Sequence, residues 1–240
     1  MIEDACRELV AFKDHLDALL VLRERIGDAL PPTWSRNGLR PQGHARDYVG
    51  AINPQTFVRQ VLPLACRLTA IGKPVQDVLD PRLIVAGTYN SYDPHGFLGT
   101  DVSPDFVMNR SDEVVLESNG DAYSHPEIPR VGKLGELPLY FSIEGKNRVS
   151  LFKRYRTGMH VYVQQCAFPQ PDELRLVSLS PFGQVGLEAF GMYSVLPFPK
   201  IATPVLKAYG VQQAKRRVWF GASKKARIRR QIIVNDQMVR

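Results

Sequence analysis

Between residues 2 and 29 apolar side chains return at helical spacing, at Leu9, Phe12, Leu16, Leu19, Leu20 and Ile26, and acids crowd the start. That period predicts one amphipathic helix, with its acids where the helix dipole favours them. Pro31-Pro32 stops it. Residues 33–53, with Gly38, Pro41, Gly43 and Gly50 among polar groups, predict a linker or extended loop. A second helix is predicted from Pro54, capped by Asn53, through Phe57, Val61, Leu62 and Leu68 to about Ile71, bent near Pro63. Pro74 and Pro81 are expected to break the chain after that helix, and residues 83–86 to form a short strand. Residues 87–109 are turn-rich and show no period.

The alternation then tightens. Strands are predicted at 114–117, 139–143, 160–166 and 174–179, and a helix at 147–155 followed by Gly158. Residues 139–166 therefore spell strand–turn–helix–strand, a short α/β unit whose first turn is the natural place for a site. Beyond Pro181 glycines and prolines predict a less regular region, then a short helix opened by Thr203-Pro204 and closed by Gly210. The fold class expected is α/β (α+β): an N-terminal helical region over 1–80, a small mixed-sheet core over 81–180 and a C-terminal extension over 181–240. No internal repeat or low-complexity tract interrupts it.

Composition narrows the class. Hydrophobic residues make up 44% and charged residues 23% of 240 positions, which excludes wholesale disorder. No apolar run reaches the roughly 18 uncharged residues of a membrane span. The acidic start lacks a basic region ahead of an apolar core, so no secretory signal is expected. Cys6, Cys66 and Cys166 are odd in number and widely spaced, which argues for buried thiols in a reducing cytoplasm over a disulfide framework or zinc cluster. Charge is uneven. Residues 200–240 hold eleven Lys and Arg against the single acid Asp236, whereas the first 199 hold 20 basic and 23 acidic groups. A basic tail on a mildly acidic body suits a polyanion, nucleic acid first.

The segment richest in chemistry runs Glu144-Gly145-Lys146-Asn147-Arg148. Gly145 sits where a strand must turn into a helix, and the amides of a helix's first turn lack intrahelical partners. Lys146 and Arg148 add cations where the dipole disfavours them, a mismatch that an anion such as phosphate would offset. The alternative is a tight turn with solvated side chains. Glu144 either holds a divalent metal or orients a water for hydrolysis, or is a strand-end carboxylate paired to Lys146 or Arg148.

This stretch resembles the core motif of the ParB/sulfiredoxin fold, in which a strand is followed by Gly-x-x-Arg opening a helix. Here the match is Gly145-Lys146-Asn147-Arg148, with Glu144 ahead of it and Gly158 and the 160–166 strand behind. The resemblance covers about residues 110–180. It implies that Gly145 and Arg148 contact a nucleotide phosphate, with ATP or CTP as ligand and a divalent metal such as magnesium beside it. Gly145-Lys146-Asn147-Arg148 holds no counterpart of the sulfiredoxin cysteine, which argues against that enzyme's chemistry, and Lys146 replaces the Glu of partition proteins. In size and layout the chain is similar to Osa-like plasmid fertility inhibitors, a group associated with ATP hydrolysis and DNA cleavage. The implied function is a cytoplasmic nucleotide- and DNA-binding protein of a mobile element.

Other groups are weaker candidates. Asp93, His95, Asp101 and Asp105 could supply metal ligands, His125 and Glu127 precede the core strand, and His160 begins the next one. Each is equally an ordinary solvated, capping or structural residue. No Gly-x-x-x-x-Gly-Lys-Ser/Thr loop, Gly-x-Ser-x-Gly elbow or His-Glu-x-x-His pair occurs. Lys215, Arg216 and Arg217, then Lys224, Lys225, Arg227, Arg229 and Arg230, flank Trp219 and Phe220. That mixture fits phosphate contacts with base stacking, or a solvated basic helix face. A second reading is a non-catalytic protein that blocks a partner in a DNA-transfer apparatus through the irregular 87–109 and 181–200 regions.

Overall fold

The structure, a computed structural model, describes residues 1–29, 52–66, 70–87, 108–110, 113, 128–180 and 183–219. The predicted strand at 114–117 and most of the 33–53 and 87–109 segments lie outside the described residues. The described chain is a mixed α/β fold built on two sheets, in agreement with the expected class.

Helix α1 (Ile2–Ala29) carries Glu3 and Asp4 in its first turn. Its buried positions are Cys6, Leu9, Val10, Lys13 and Asp17. The stripe that faces the core thus contains a lysine and an aspartate, and Leu19, expected in it, is 62% exposed. Helix α2 (Pro54–Val61) starts as predicted: the Asn53 side chain accepts from Gln55 N at 3.0 Å and Thr56 N at 3.2 Å, and Pro54 fills the first position. It is shorter than predicted. Pro63 opens a 3-10 turn over Pro63–Cys66, and the chain then becomes strand β1 (Ala70–Leu79). Pro74 sits inside this strand, because β1 is the edge of its sheet and an edge tolerates a missing N–H.

The first sheet adds β2 (Ile84–Val85), β3 (Arg130–Leu134), β4 (Tyr140–Glu144) and β5 (Met159–Cys166), in the order β1-β5-β3-β4-β2. β2 runs parallel to β4 and β3 parallel to β5; the other pairs are antiparallel. Helix α3 (Lys146–Tyr155) connects β4 to β5. Close packing at the β3–β4 pair requires a glycine: a Cβ on Gly132 would stand 2.2 Å from the Phe141 ring.

The second sheet corrects the expectation for the C-terminal third. β6 (Leu174–Ser180) pairs with β7 (Gln184–Ala189), which pairs with β8 (Met192–Val195), so most of the region expected to be irregular is a hairpin. Its turn holds Phe190 at φ 51° and Gly191 at φ 70°. Helix α4 (Pro199–Tyr209) begins four residues before Thr203, since Pro199 serves as the first helical residue and Pro204 is carried inside. Gly210, at φ 106°, closes it as predicted. Strand β9 (Gln212–Trp219) then lies parallel to β6, giving the order β8-β7-β6-β9.

One apolar cluster joins the sheets to the helices. It contains Leu9 of α1, Phe57 and Val61 of α2, Phe141 of β4, Phe152 of α3, Leu187 of β7 and Val205 of α4. The Phe12 ring stands 5.3 Å from Phe198 and 6.3 Å from Phe57, tying α1 to α2 and to the residue that precedes α4.

The edge strand β1 is irregular. Its register against β5 shifts between Ile71 and Val75, and Gln164 Nε2 donates to the Ile71 and Gly72 carbonyls at 3.1 Å. The Val78 N–H donates to Asp77 Oδ1 at 2.7 Å.

Candidate functional site

Strand β4 leaves the core as it ends: Tyr140, Phe141 and Ser142 are buried, Ile143 and Glu144 exposed. Ser142 Oγ donates to the Glu144 carbonyl at 2.9 Å, which fixes the exit. Gly145 comes next at φ 70°, ψ 21° and is the N-cap of α3; its carbonyl accepts the first helical bond from Val149 N at 3.1 Å. A Cβ at Gly145 would lie 2.9 Å from Pro129 Cβ and 3.0 Å from its Cα. Pro129 is itself held, since its carbonyl accepts from Tyr162 N at 2.9 Å. Glycine is needed here twice, for the left-handed backbone and for the room.

The first turn of α3 carries no acid. Lys146, Asn147 and Arg148 are all half-buried there. Asn147 Oδ1 is buried without a hydrogen-bond partner, a polar atom turned from water and left unmatched by protein. A Cβ on Gly87, just beyond β2, would stand 3.6 Å from Lys146 Cδ, so the lysine stem runs beside the end of that strand. β2 and β4 are parallel, so both carboxyl ends converge on the start of α3, the usual side for ligands in such sheets. The predicted residues Gly145, Lys146, Asn147 and Arg148 lie in sequence at the cap and first turn of α3, a corner we call the cup.

Against family models, curated proteins and solved structures, the chain finds no match.

Glu144 stands at the cup's rim, and it forms an ion pair with Arg130 Nη1 of β3 at 3.5 Å. Both side chains are exposed, so the pair contributes little. His160 lies on β5 opposite Val78, two strands from β4, with a buried Nδ1 lacking a partner. Asp93, His95, Asp101, Asp105, His125 and Glu127 lie outside the described residues. Among the described residues no three His, Cys, Asp or Glu side chains gather as a metal site. Lys215, Arg216 and Arg217 belong to β9, with Arg217 opposite Ser178, so their backbone is part of a sheet. Phe220, Lys224, Lys225, Arg227, Arg229 and Arg230 lie outside the described residues. Cys6 and Cys166 are buried free thiols. Burial, with the Glu3 charge beside it, pushes the Cys6 thiol up to about 12, leaving it inert at neutral pH.

Sequence reasoning missed a polar layer directly behind the cup. Lys13 is 0% exposed and Asp17 1%. The Lys13 ammonium donates to Asp17 Oδ2 and to the Ala86 carbonyl, the latter at 2.6 Å. Asp17 Oδ1 accepts from Ile52 N at 3.0 Å. One residue along α1 from Lys13, Asp14 accepts from Lys153 of α3 at 2.8 Å and 3.0 Å. Ser150 Oγ donates to the Gly87 carbonyl at 3.2 Å. Burial pushes Lys13 and Lys153 down and Asp17 up, against the opposite charge beside each. The available signal was the i, i+4 spacing of Lys13 and Asp17 in register with Cys6, Leu9 and Val10.

Proposed function

We propose that the chain binds a nucleotide at the Gly145–Arg148 cup and DNA through its basic C-terminal segment. On this reading it is a nucleotide- and DNA-handling protein of a mobile element, related in fold to ParB/sulfiredoxin proteins and in role to Osa-like inhibitors of conjugative transfer. One observation carries it: a helix start with two cations and no acid in its first turn, set on a glycine that Pro129 leaves no room to replace. The positive end of a helix dipole with cationic side chains beside it favours an anion such as phosphate. Asn147 Oδ1, buried and unmatched, is an acceptor that a nucleotide's amino or hydroxyl group or a magnesium ion would satisfy, and a phosphate would not. Glu144 at the rim is the carboxylate available to orient a water or, with the ligand's phosphates, to hold magnesium.

Titration with ATP and CTP in the presence of magnesium tests the cup. Arg148→Ala is expected to lower affinity at least tenfold with an unchanged circular dichroism spectrum; unchanged affinity removes the site. DNA binding is tested on a chain ending at Trp219, which retains β9 and loses Lys224, Lys225, Arg227, Arg229 and Arg230. Its affinity should fall and its dependence on salt flatten, by about 0.7–0.9 in log–log slope per lost phosphate contact. Identical binding across salt concentrations would refute the tail's part.

A second reading, a non-catalytic blocker of a transfer apparatus, draws on the tip of the β7–β8 hairpin. There Phe190, 66% exposed, and Met192, 45% exposed, stand together in solvent. Incubation with ATP or plasmid DNA, with and without magnesium, separates the two: hydrolysis abolished by Glu144→Gln favours the first.

A further inference from the structure

The polar layer between α1 and α3 is costly for a fold to keep. Taking an ammonium and a carboxylate out of water costs several kcal/mol per ion, and a well-packed apolar replacement is often as stable. Stability alone is therefore a poor reason for a Lys13 and an Asp17 that lie in line with Cys6, Leu9 and Val10 on the buried stripe of α1. What the charges provide that leucines would not is a directed grip on particular backbone atoms.

Those atoms lie just past the end of β2, which borders the cup. Lys13 holds the Ala86 carbonyl, Ser150 of α3 holds the adjacent Gly87 carbonyl, and Lys153 of α3 returns to Asp14 of α1. The contacts close a ring through α1, the end of β2 and α3. The Lys146 stem lies beside Gly87, one member of that ring. Asp17 extends the grip to Ile52, immediately before the Asn53 cap of α2.

We infer that Lys13 and Asp17 are positioning residues for the cup: Lys13, held by Asp17, grips the Ala86 carbonyl while Ser150 grips Gly87, and together they fix the chain at the end of β2 against the first two turns of α3 and so set where Lys146 presents its charge to a bound phosphate. The phosphate ligand rests on the function proposed above; the clamp on β2 does not.

Two readouts separate those parts. In the Lys13→Met/Asp17→Leu double variant, hydrogen exchange in peptides covering residues 84–87 and 146–152 should quicken at least tenfold, while peptides covering β6 and β7 stay as protected as before. In the same variant, affinity for ATP or CTP with magnesium should fall at least tenfold. Unchanged exchange at both segments overturns the clamp whatever the affinity does. Local loosening with unchanged affinity overturns the positioning role. If the unaltered chain binds neither nucleotide, the function reading fails, and exchange still decides the clamp. Should the double variant not fold, Ser150→Ala removes one link of the ring from a partly buried position. It is expected to quicken exchange over 84–87 and lower affinity severalfold with its urea midpoint unmoved; wild-type exchange there would overturn the proposal.

Discussion

Replacing Gly145 by alanine perturbs the cup at its hinge, and the cost has two sources. A residue with a Cβ in the left-handed region is disfavoured by roughly 1–2 kcal/mol, and Gly145 sits there at φ 70°. The new methyl would also meet Pro129 at 2.9 Å to Cβ and 3.0 Å to both Cα and Cγ, well inside the roughly 3.5–4.0 Å at which carbons attract. Pro129 is a ring on a hydrogen-bonded backbone and has little freedom to retreat, so a typical overpacking cost of about 1–3 kcal/mol applies. Together these give about 2–5 kcal/mol, a large part of a domain's usual 5–15 kcal/mol. Urea unfolding followed by far-ultraviolet circular dichroism measures it, and a slope of about 2 kcal/mol/M converts it to a midpoint drop of about 1–2.5 M. Gly145→Asn separates the sources: asparagine visits the left-handed region more readily, so it should lie between glycine and alanine while still meeting Pro129. A midpoint shift for Gly145→Ala worth less than about 0.5 kcal/mol would refute both the backbone assignment and the contact.

Gly132→Ala should destabilise by about 1–3 kcal/mol, because its methyl would enter the Phe141 ring; in a Phe141→Leu background the penalty should shrink, and additive effects would contradict the packing described. Asp80 is predicted to confer acid sensitivity. Burial raises its carboxyl, but hydrogen bonds from the Arg82 side chain and backbone, the Arg82 charge and a bond from Arg7 outweigh it and hold the group below its usual 3.8. A lowered folded value means that the stabilisation is complete above about pH 4 and lost as pH falls below it and through the lower folded value. Urea midpoints at pH 7 and pH 3 should therefore converge in Asp80→Asn relative to the unaltered chain; parallel losses would refute the role of the Asp80 carboxylate.

Legibility from sequence tracked physical regularity. The β4–α3–β5 unit was readable because alternation, a lone glycine and a helical period meet in under thirty residues, and the turn at Gly145 is placed with it. Asn53-Pro54 announced α2 by cap chemistry. β1 was hidden because most of its residues are exposed on both faces, so no alternation marks it, and Pro74 reads as a breaker until its edge position is known. The β7–β8 turn, Phe190-Gly191, lacks the Asn-Gly or Asp-Gly signature of tight hairpins. In β9 the run Gln-Gln-Ala-Lys-Arg-Arg reads as tail because charge dominates it; only pairing with β6 makes it a strand. Lys13 and Asp17 carry no sequence signal of burial beyond their spacing, since periodicity assigns faces by hydrophobicity and these two lie buried as an ion pair.

The bulged margin of the first sheet bears on how copies of this chain meet one another. Ile71, Val75 and Val78 stand 54–65% exposed along it, the kind of bare ribbon on which foreign strands stack into aggregates. Here the ladder is missing a rung at Pro74, kinked between Ile71 and Val75, and already occupied at Val78 by the aspartate next door. An incoming strand would find its zipper jammed at three points, so this greasy seam can be tolerated in a crowded cell without becoming a seed for fibres.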